Sequence, residues 1–316
     1  MLAPKARGSL SEQVLSALTS GQVSPALRDV AHDGHEDAQV TLWSLYELHY
    51  RGFEDVDDAL EWHPDLLAVR AGLEAELEAT LRDRCPEVDL GDDFAAGLFS
   101  FIEDHDGPSV ARFVQRDATH EQVMDLLRWR SIYHLKESDP QAWVVPRLSP
   151  GPKAALMELQ YDEFGNGDPQ LLHAHLFAQG LAASGLRPDY GAYIDEAPVE
   201  VLEENNAMSL FGLHRRLRAA SLGHLAAFEA TSSGPSRRMS RGLNRLGFPA
   251  EMSAYYDEHV EADAVHEQLA VRTIAGAVVA EDPSLVQDVV LGAFTCLDLE
   301  DRFAEAALTR WGANDA

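Results

Sequence analysis

Apolar residues recur at intervals of three and four along most of this chain, and this spacing is what most constrains its fold. The pattern predicts amphipathic helices. The expected helices cover residues 42–53, 59–83, 94–105, 121–138, 154–164, 171–184, 200–230, 254–280 and 284–310. Segments rich in glycine, proline and aspartate separate them, such as CPEVDLGDD, GNGDPQ and SSGPSRR. Alternating β-branched runs joined by hairpin turns are not evident, so the sequence predicts an all-α protein.

The length of 316 residues suits one large domain or two ordinary ones. The best candidates for a boundary are PEVDLGDD at 86–93 and the turn at Asp106-Gly107-Pro108. We therefore expect a helical N-terminal portion over residues 1–110, packed on or continuous with a helical core over residues 111–316.

The net charge of the chain limits the classes of partner that it is expected to bind. Fifty-three acidic residues against 25 basic ones give a formal net charge of −28, which repels phosphate backbones and anionic membranes. The N-terminal stretch lacks the continuous apolar run of a signal peptide, and AVRTIAGAVVA is too short to cross a bilayer. Only two cysteines occur, far apart, which is typical of a reducing compartment. These features predict a cytoplasmic protein with neither nucleic-acid nor membrane partners.

The segment HVEADAVH places two histidines and an aspartate at offsets of zero, four and seven. On an α-helix these offsets bring His259, Asp263 and His266 within about 60° of arc, on one face. Imidazole and carboxylate ligands suit iron, manganese or zinc. The alternative is an acidic, partly exposed helix face that binds nothing, because Glu258, Glu261 and other acids lie nearby. This motif alone does not decide between the two.

Other helices offer the side chains that would complete a metal site. Glu163 ends one predicted helix and His173 begins the next, and the GNGDP segment between them lets the chain kink so that both point inward. Glu229 lies among small and aromatic neighbours, where a buried carboxylate needs a partner. Three carboxylates and three imidazoles suffice for two metal ions, as in di-iron helical bundles.

These residues resemble those of a known family. LKESDP (135–140), ELQYDEFGNGDPQLLHAHLF (158–177), HLAAFEATSS (224–233) and DEHVEADAVHEQ (257–268) are similar to segments of the haem-oxygenase-like di-iron oxidases and oxygenases, and more closely to the bacterial iron-containing redox enzymes. The resemblance covers about residues 120–310 and implies a haem-oxygenase-like helical bundle. Haem itself is not expected, because no histidine signature of a haem pocket is evident.

The resemblance also implies which residues bind metal. They are Glu163, His173, Glu229, His259, Asp263 and His266, and some members use a further carboxylate whose counterpart here is Glu137. The carboxylates Glu163, Glu229 and Asp263 are the expected catalytic residues, and Glu229 is the expected bridging ligand.

The activity that the resemblance implies is oxidation of a small organic substrate by O₂ at two non-haem iron ions, by N-oxygenation, desaturation or oxidative C–C cleavage. An amine, an amino acid or a fatty acid would be the substrate, an electron donor would be required, and a homodimer is compatible with these expectations. Two alternatives stay open from the residues alone: a metal-free helical binding or scaffold protein, and a hydrolytic zinc or manganese enzyme with the same ligands.

Two other histidines near the candidate ligands are interpreted differently. His175 lies two residues after His173 and therefore points about 200° away from it on a helix, so it is not expected to bind metal. His224 lies five residues before Glu229 and is interpreted as a helix-face histidine, with a hydrogen bond to a ligand carboxylate as the alternative.

Overall fold

The chain folds into helices that pack side by side around three apolar cores. The structure is a computed structural model, and it describes residues 1–313, without the side chains of residues 261–265. No β-strand occurs in residues 1–313, so the all-α prediction is confirmed.

The α-helices are numbered in chain order. They are α1 (Ser9–Ser20), α2 (His35–Glu47), α3 (Pro64–Arg84), α4 (Phe94–Glu103), α5 (Val110–Arg116), α6 (His120–His134), α7 (Asp139–Ala142), α8 (Pro150–Glu163), α9 (His173–Ala183), α10 (Val199–Leu213), α11 (Arg218–Leu246), α12 (Ala250–Gln268), α13 (Gly276–Glu281) and α14 (Val286–Arg310). A π-helical turn, Leu269–Ala275, joins α12 to α13. Short 3₁₀ turns cover Pro25–Asp29, Asp58–Leu60, Val145–Arg147, Gly165–Gly167, Ile194–Glu196, Arg215–Leu217 and Pro283–Leu285.

Local sequence explains several helix starts. The side chains of Asp93 and Ser109 accept hydrogen bonds from backbone amides in the first turns of α4 and α5. Thr119 and Gln122 form a reciprocal capping box at the start of α6. Such caps satisfy amide groups that have no partner inside the helix, and each contributes about 1 kcal/mol.

The long helix α11 forms the centre of the fold and packs against α12, α14 and α5. Its backbone approaches that of α14 so closely that glycine is required at the contact. A Cβ on Gly223 would lie 2.0 Å from the carbonyl oxygen of Val289, and one on Gly292 would lie 1.8 Å from that of Ala220. These two helices are therefore fixed against each other near the N-terminal half of α11, which carries Glu229.

The structure corrects two details of the helix prediction. The segment SSGPSRR was expected to interrupt the chain, yet it lies inside α11 with Pro235 in mid-helix. Packing on several sides outweighs the roughly 3 kcal/mol that an internal proline costs. Residues 200–230 were expected to form one helix, but α10 ends at Leu213, where the guanidinium of Arg147 donates to the carbonyls of Gly212 and Leu213.

The N-terminal helices pack onto the rest of the bundle through one shared apolar core. Leu10, Leu42 and Leu73 from α1 to α3 belong to the same buried cluster as Phe211 of α10 and Leu299 of α14. The proposed division at residue 110 stays a prediction. In the described part of the chain, none of the helices is long and apolar enough to span a membrane.

Candidate metal centre

Glu137 lies at the turn that follows α6. That helix ends at His134, and the chain reaches α7 through Ser138, which adopts a left-handed conformation with φ of 67°. The turn buries the Glu137 carboxylate, whose two oxygens lie 3.0 and 2.9 Å from the Tyr255 hydroxyl. The Ser138 hydroxyl donates to Glu163 Oε2 at 3.2 Å. This turn therefore places Glu137 next to a residue that hydrogen-bonds the carboxylate of Glu163.

Glu163 and His173 are brought together by the GNGDP segment, as the sequence predicts. Glu163 is the last residue of α8 and His173 the first of α9, and both are buried. Gly165 has φ of 74°, and a Cβ at this position would lie 2.5 Å from the amide nitrogen of Leu172. Only glycine fits such a reversal. As a result His173 Nδ1 lies 3.1 Å from Glu163 Oε2.

The two histidines of α12 are both buried and oriented by a hydrogen bond from one ring nitrogen. His259 Nδ1 donates to the backbone carbonyl of Tyr255 at 2.8 Å, and its Nε2 lies 3.6 Å from Glu137 Oε1. His266 Nε2 donates to Asp162 Oδ2 at 2.9 Å. This leaves His266 Nδ1 facing the carboxylates of Glu163 and Glu229, at 3.5 and 3.4 Å.

A histidine that binds a metal usually donates its other ring N–H to a carboxylate or a carbonyl, because this bond fixes the tautomer and the ring orientation. His259 and His266 both have this arrangement. Asp263, the third residue of the motif, is one of the residues 261–265 and lies outside the described side chains.

The described candidates form two groups that share one carboxylate. In each group, ligand atoms from all members lie within 4.8 Å of one another, and every member is buried. The first group comprises Glu137, Glu163, His173 and His259, and the second comprises Glu163, Glu229 and His266. Oxygen and imidazole donors from four helices and a turn thus converge, which is how helical bundles build two-metal sites.

The arrangement of the donor atoms suits a bound cation better than it suits hydrogen bonding among the side chains themselves. Among the described residues, His173 Nδ1 and His266 Nδ1 have no hydrogen-bond partner of normal geometry, although both are buried and close to carboxylates. Burial lowers the pKa of His266, but contact with Glu229 and the charges of Glu163 and Asp162 outweigh burial and raise that pKa to about 9. A metal cation would compensate the same carboxylates and would use the free nitrogens as ligands.

Two residues that hydrogen-bond the candidate ligands could not be identified from the sequence. Asp162 directly precedes Glu163 and looks like one more surface acid, while Tyr255 lies one helical turn before His259 in a run of aromatics. Neither type of residue is specific without knowledge of its contacts. His175 belongs to neither group.

His224 is fully buried and belongs to neither group. Burial lowers its pKa to about 4. In the described part of the chain, its ring nitrogens have no hydrogen-bond partner, so the hydrogen bond to a ligand carboxylate is not found.

A cavity of about 280 Å³ reaches the first group. Glu137, Tyr255 and His259 are among the residues that line it. Its lining also includes the apolar side chains of Leu126, Phe228, Met239 and Leu297, and the charged side chains of Arg130, Glu204 and Glu300. This volume suits a small organic molecule rather than a polymer.

The site geometry can be compared with known families. Residues 124–301, more than half of the chain, match the family described as iron-containing redox enzyme. The chain belongs to the iron-containing redox enzymes. All described candidate ligands of this iron-containing redox enzyme lie inside the matched range, and helices α1 to α5 lie outside it. The family resemblance that the sequence suggests is thereby confirmed.

A solved structure supports the fold of this iron-containing redox enzyme. The crystal structure of a CADD-like protein of unknown function from Nostoc punctiforme matches it with a TM-score of 0.51 and 18% identity, over 75% of this chain and 97% of that one. At this low sequence identity the match supports the fold alone. Among curated proteins, none matches the sequence significantly.

Proposed function

We propose that this protein is a non-haem di-iron oxidase or oxygenase that uses O₂ to oxidise a small organic substrate. The observation that carries the proposal is the pair of buried ligand groups that share Glu163. Membership of a family of iron-containing redox enzymes supports iron as the metal. Iron bound there would supply the electrons and the open coordination positions that O₂ chemistry requires.

In this proposal Glu137, His173 and His259 would hold one ion and Glu229 and His266 the other, and Glu163 would be available to both. Glu163, rather than Glu229, is the carboxylate common to both groups. The family resemblance adds Asp263 to the ligands. The carboxylates would offset the charge of the ions in a buried site, where unpaired charges are costly.

The remaining residues position the ligands and shape the pocket. Tyr255 holds His259 through its backbone carbonyl and Glu137 through its hydroxyl, and Asp162 holds His266. The apolar walls formed by Phe228, Met239 and Leu297 would exclude water from the substrate.

Anaerobic titration with Fe(II), followed by metal analysis and exposure to O₂, tests the proposal. We expect two irons per chain and consumption of O₂. Glu163→Gln should lose both ions, because it removes a ligand from each group, whereas Glu158→Gln, at an exposed position of the same helix, should bind like the wild type. Asp263→Ala should lose one ion.

Failure to take up iron, or equal uptake by Glu163→Gln and the wild type, would overturn the proposal. Tight zinc or manganese binding without O₂ consumption would instead support a hydrolytic enzyme with the same ligands.

A further inference from the structure

The cavity that reaches Glu137 and His259 has a second charged region, formed by α6, α10 and α14. Arg130, Glu204 and Glu300 all line it there. Arg130 and His134 both line the cavity and lie one helical turn apart on α6, about 6 Å along the helix axis. His134 Nδ1 lies 3.5 Å from Glu137 Oε1, so one helical turn and one side-chain contact connect this region to the candidate metal centre.

Carboxylates outnumber cations in this region. The guanidinium of Arg130 pairs with Glu300 at 2.5 and 2.6 Å and with Glu204 at 3.3 Å. The nearby Asp301 has its own partner, His105, at 2.8 Å. Two carboxylates thus share one guanidinium, which balances the charge of only one of them when both are ionised.

Arg130 is already committed to partners within the chain. Its guanidinium also lies over the ring of Phe303, 4.1 Å from the ring centroid, which adds a cation–π contact. A substrate carboxylate would have to displace Glu300 from Arg130 and would add to the negative charge. A positively charged group would instead complete the neutralisation of Glu204.

We propose that the substrate is a small organic ammonium ion whose charged group binds at Glu204 and whose apolar part extends between Phe228 and Leu297 towards Glu137 and His259. This inference rests on the proposed function for the identity of the reacting site. It places the amino group at the far end from the metal ligands, so the group presented to them is the opposite end of the molecule.

The energetics of Glu204 agree with a cationic ligand. Glu204 is only 7% exposed. Burial raises its pKa, Arg130 opposes the rise, the charge of Glu300 adds to it, and the result is a pKa of about 7. A carboxylate that a single guanidinium does not fully stabilise gains from a second cation.

The test measures the binding of three probes of equal length, hexylamine, hexanoate and hexanol, by calorimetry. It uses the metal-free protein and the protein loaded with Mn(II), which keeps oxidation out of the measurement. We expect hexylamine to bind at least about tenfold more tightly than hexanol in the Mn(II)-loaded protein, and hexanoate more weakly, since a charge-assisted hydrogen bond contributes this much.

Glu204→Gln keeps the shape of the side chain and removes its charge. It should weaken hexylamine about tenfold or more and leave hexanol unchanged. Glu305→Gln, at an exposed position on α14, is the matched control and should bind like the wild type. Thermal unfolding of each variant checks that it folds. Should Glu204→Gln fail to fold, Glu300→Gln removes the second carboxylate of the same region, which is nearer to solvent, and should also weaken hexylamine.

Tighter binding of hexanoate than of hexylamine, or an equal loss of hexylamine and hexanol in Glu204→Gln, would overturn the inference. The proposed function fails separately. If amines bind through Glu204 but iron is not taken up, only the proposed function is wrong, and if iron is taken up and O₂ consumed while amines bind no better than alcohols, only this inference is wrong.

Discussion

Two consecutive residues, Lys136 and Glu137, belong to two different buried charged clusters. The clusters differ in the groups that face their carboxylates. Lys136 belongs to the first, with Glu47 3.7 Å away and the ring of Tyr50 4.4 Å from its ammonium group. The hydroxyl of Tyr190 donates to the same glutamate at 2.6 Å. Lys136 and Glu47 are 2% and 0% exposed. This cluster, which we call the lysine cluster, balances its charges with groups of the chain itself.

Glu137 belongs to the second cluster, the candidate metal centre. There, three described carboxylates meet three imidazoles, and Asp263 would add a fourth carboxylate by family resemblance. The comparison teaches that burial of charge alone does not identify a metal site. What distinguishes the candidate metal centre is that carboxylate and imidazole donor atoms converge within 4.8 Å in each group, and that in the described part of the chain His173 Nδ1 and His266 Nδ1 have no hydrogen bonds.

The largest effect is expected in the lysine cluster. Lys136→Met leaves the carboxylate of Glu47 buried without its ion-pair partner and should lower the free energy of unfolding by about 3–5 kcal/mol. Adding Glu47→Leu should recover most of this loss, because both charges are then gone. Denaturation in urea measures both variants. Lys5→Met is the control: this lysine forms an exposed ion pair with Asp195 and should cost less than about 1 kcal/mol. A similar cost for both lysines would contradict the comparison.

The candidate metal centre should respond to metal instead. Mn(II) at a hundred times its dissociation constant should raise the free energy of unfolding by about 2.7 kcal/mol, since the metal binds only the folded state. Glu163→Gln should abolish this gain, and Lys5→Met should retain it. Unfolding curves with and without metal provide the measurement. An equal gain in Glu163→Gln would place the metal elsewhere.

A smaller effect is expected from the residue that orients His266. Asp162→Ala removes the acceptor for His266 Nε2 and should weaken metal binding about 10–100-fold. Asp162→Asn should lose less, because the amide oxygen still accepts the hydrogen bond. Competition with a chelator gives the affinities. Unchanged affinity in Asp162→Ala would show that the ring of His266 is held by other contacts.

The smallest effect concerns the aromatic side of the lysine cluster. Tyr50→Leu removes the ring beside Lys136 and should lower the free energy of unfolding by about 0.5–2 kcal/mol relative to Tyr50→Phe. The phenylalanine variant loses the same hydroxyl contact to Ser209 and therefore isolates the ring. Equal stability of the two variants would mean that the Tyr50 ring does not stabilise Lys136.

Two pairs of candidate ligands could be predicted from local sequence geometry, whereas Glu137 is a candidate only through the family resemblance. His259 and His266 are seven residues apart on one helix, and Glu163 and His173 flank a glycine-rich kink, so local geometry already places each pair. The lysine cluster had no such signal. Glu47 lies 89 residues before Lys136, and neither residue type is expected in a protein interior.

The errors in the fold prediction have the same origin. The end of α10 depends on Arg147, a distant side chain that caps its carbonyls, and the continuation of α11 through Pro235 depends on packing against other helices. Local propensity describes neither effect, because both arise only when the helices assemble.

Pro235 interrupts the backbone hydrogen bonding of α11 between two segments that are each in close contact with a neighbouring helix. The segment that contains Glu229 is in close backbone contact with α14 at Gly223 and Gly292. Beyond it, Pro235 has no N–H to donate to the carbonyl of Thr231, and both residues line the cavity. A helix that lacks one backbone hydrogen bond bends more easily at that position. We therefore expect α11 to bend at Thr231 and Pro235, where it lines the cavity, so that a ligand can enter there. In this motion we expect Glu229 to keep its position against α14 and Gly242 to keep its contact with Val114 of α5.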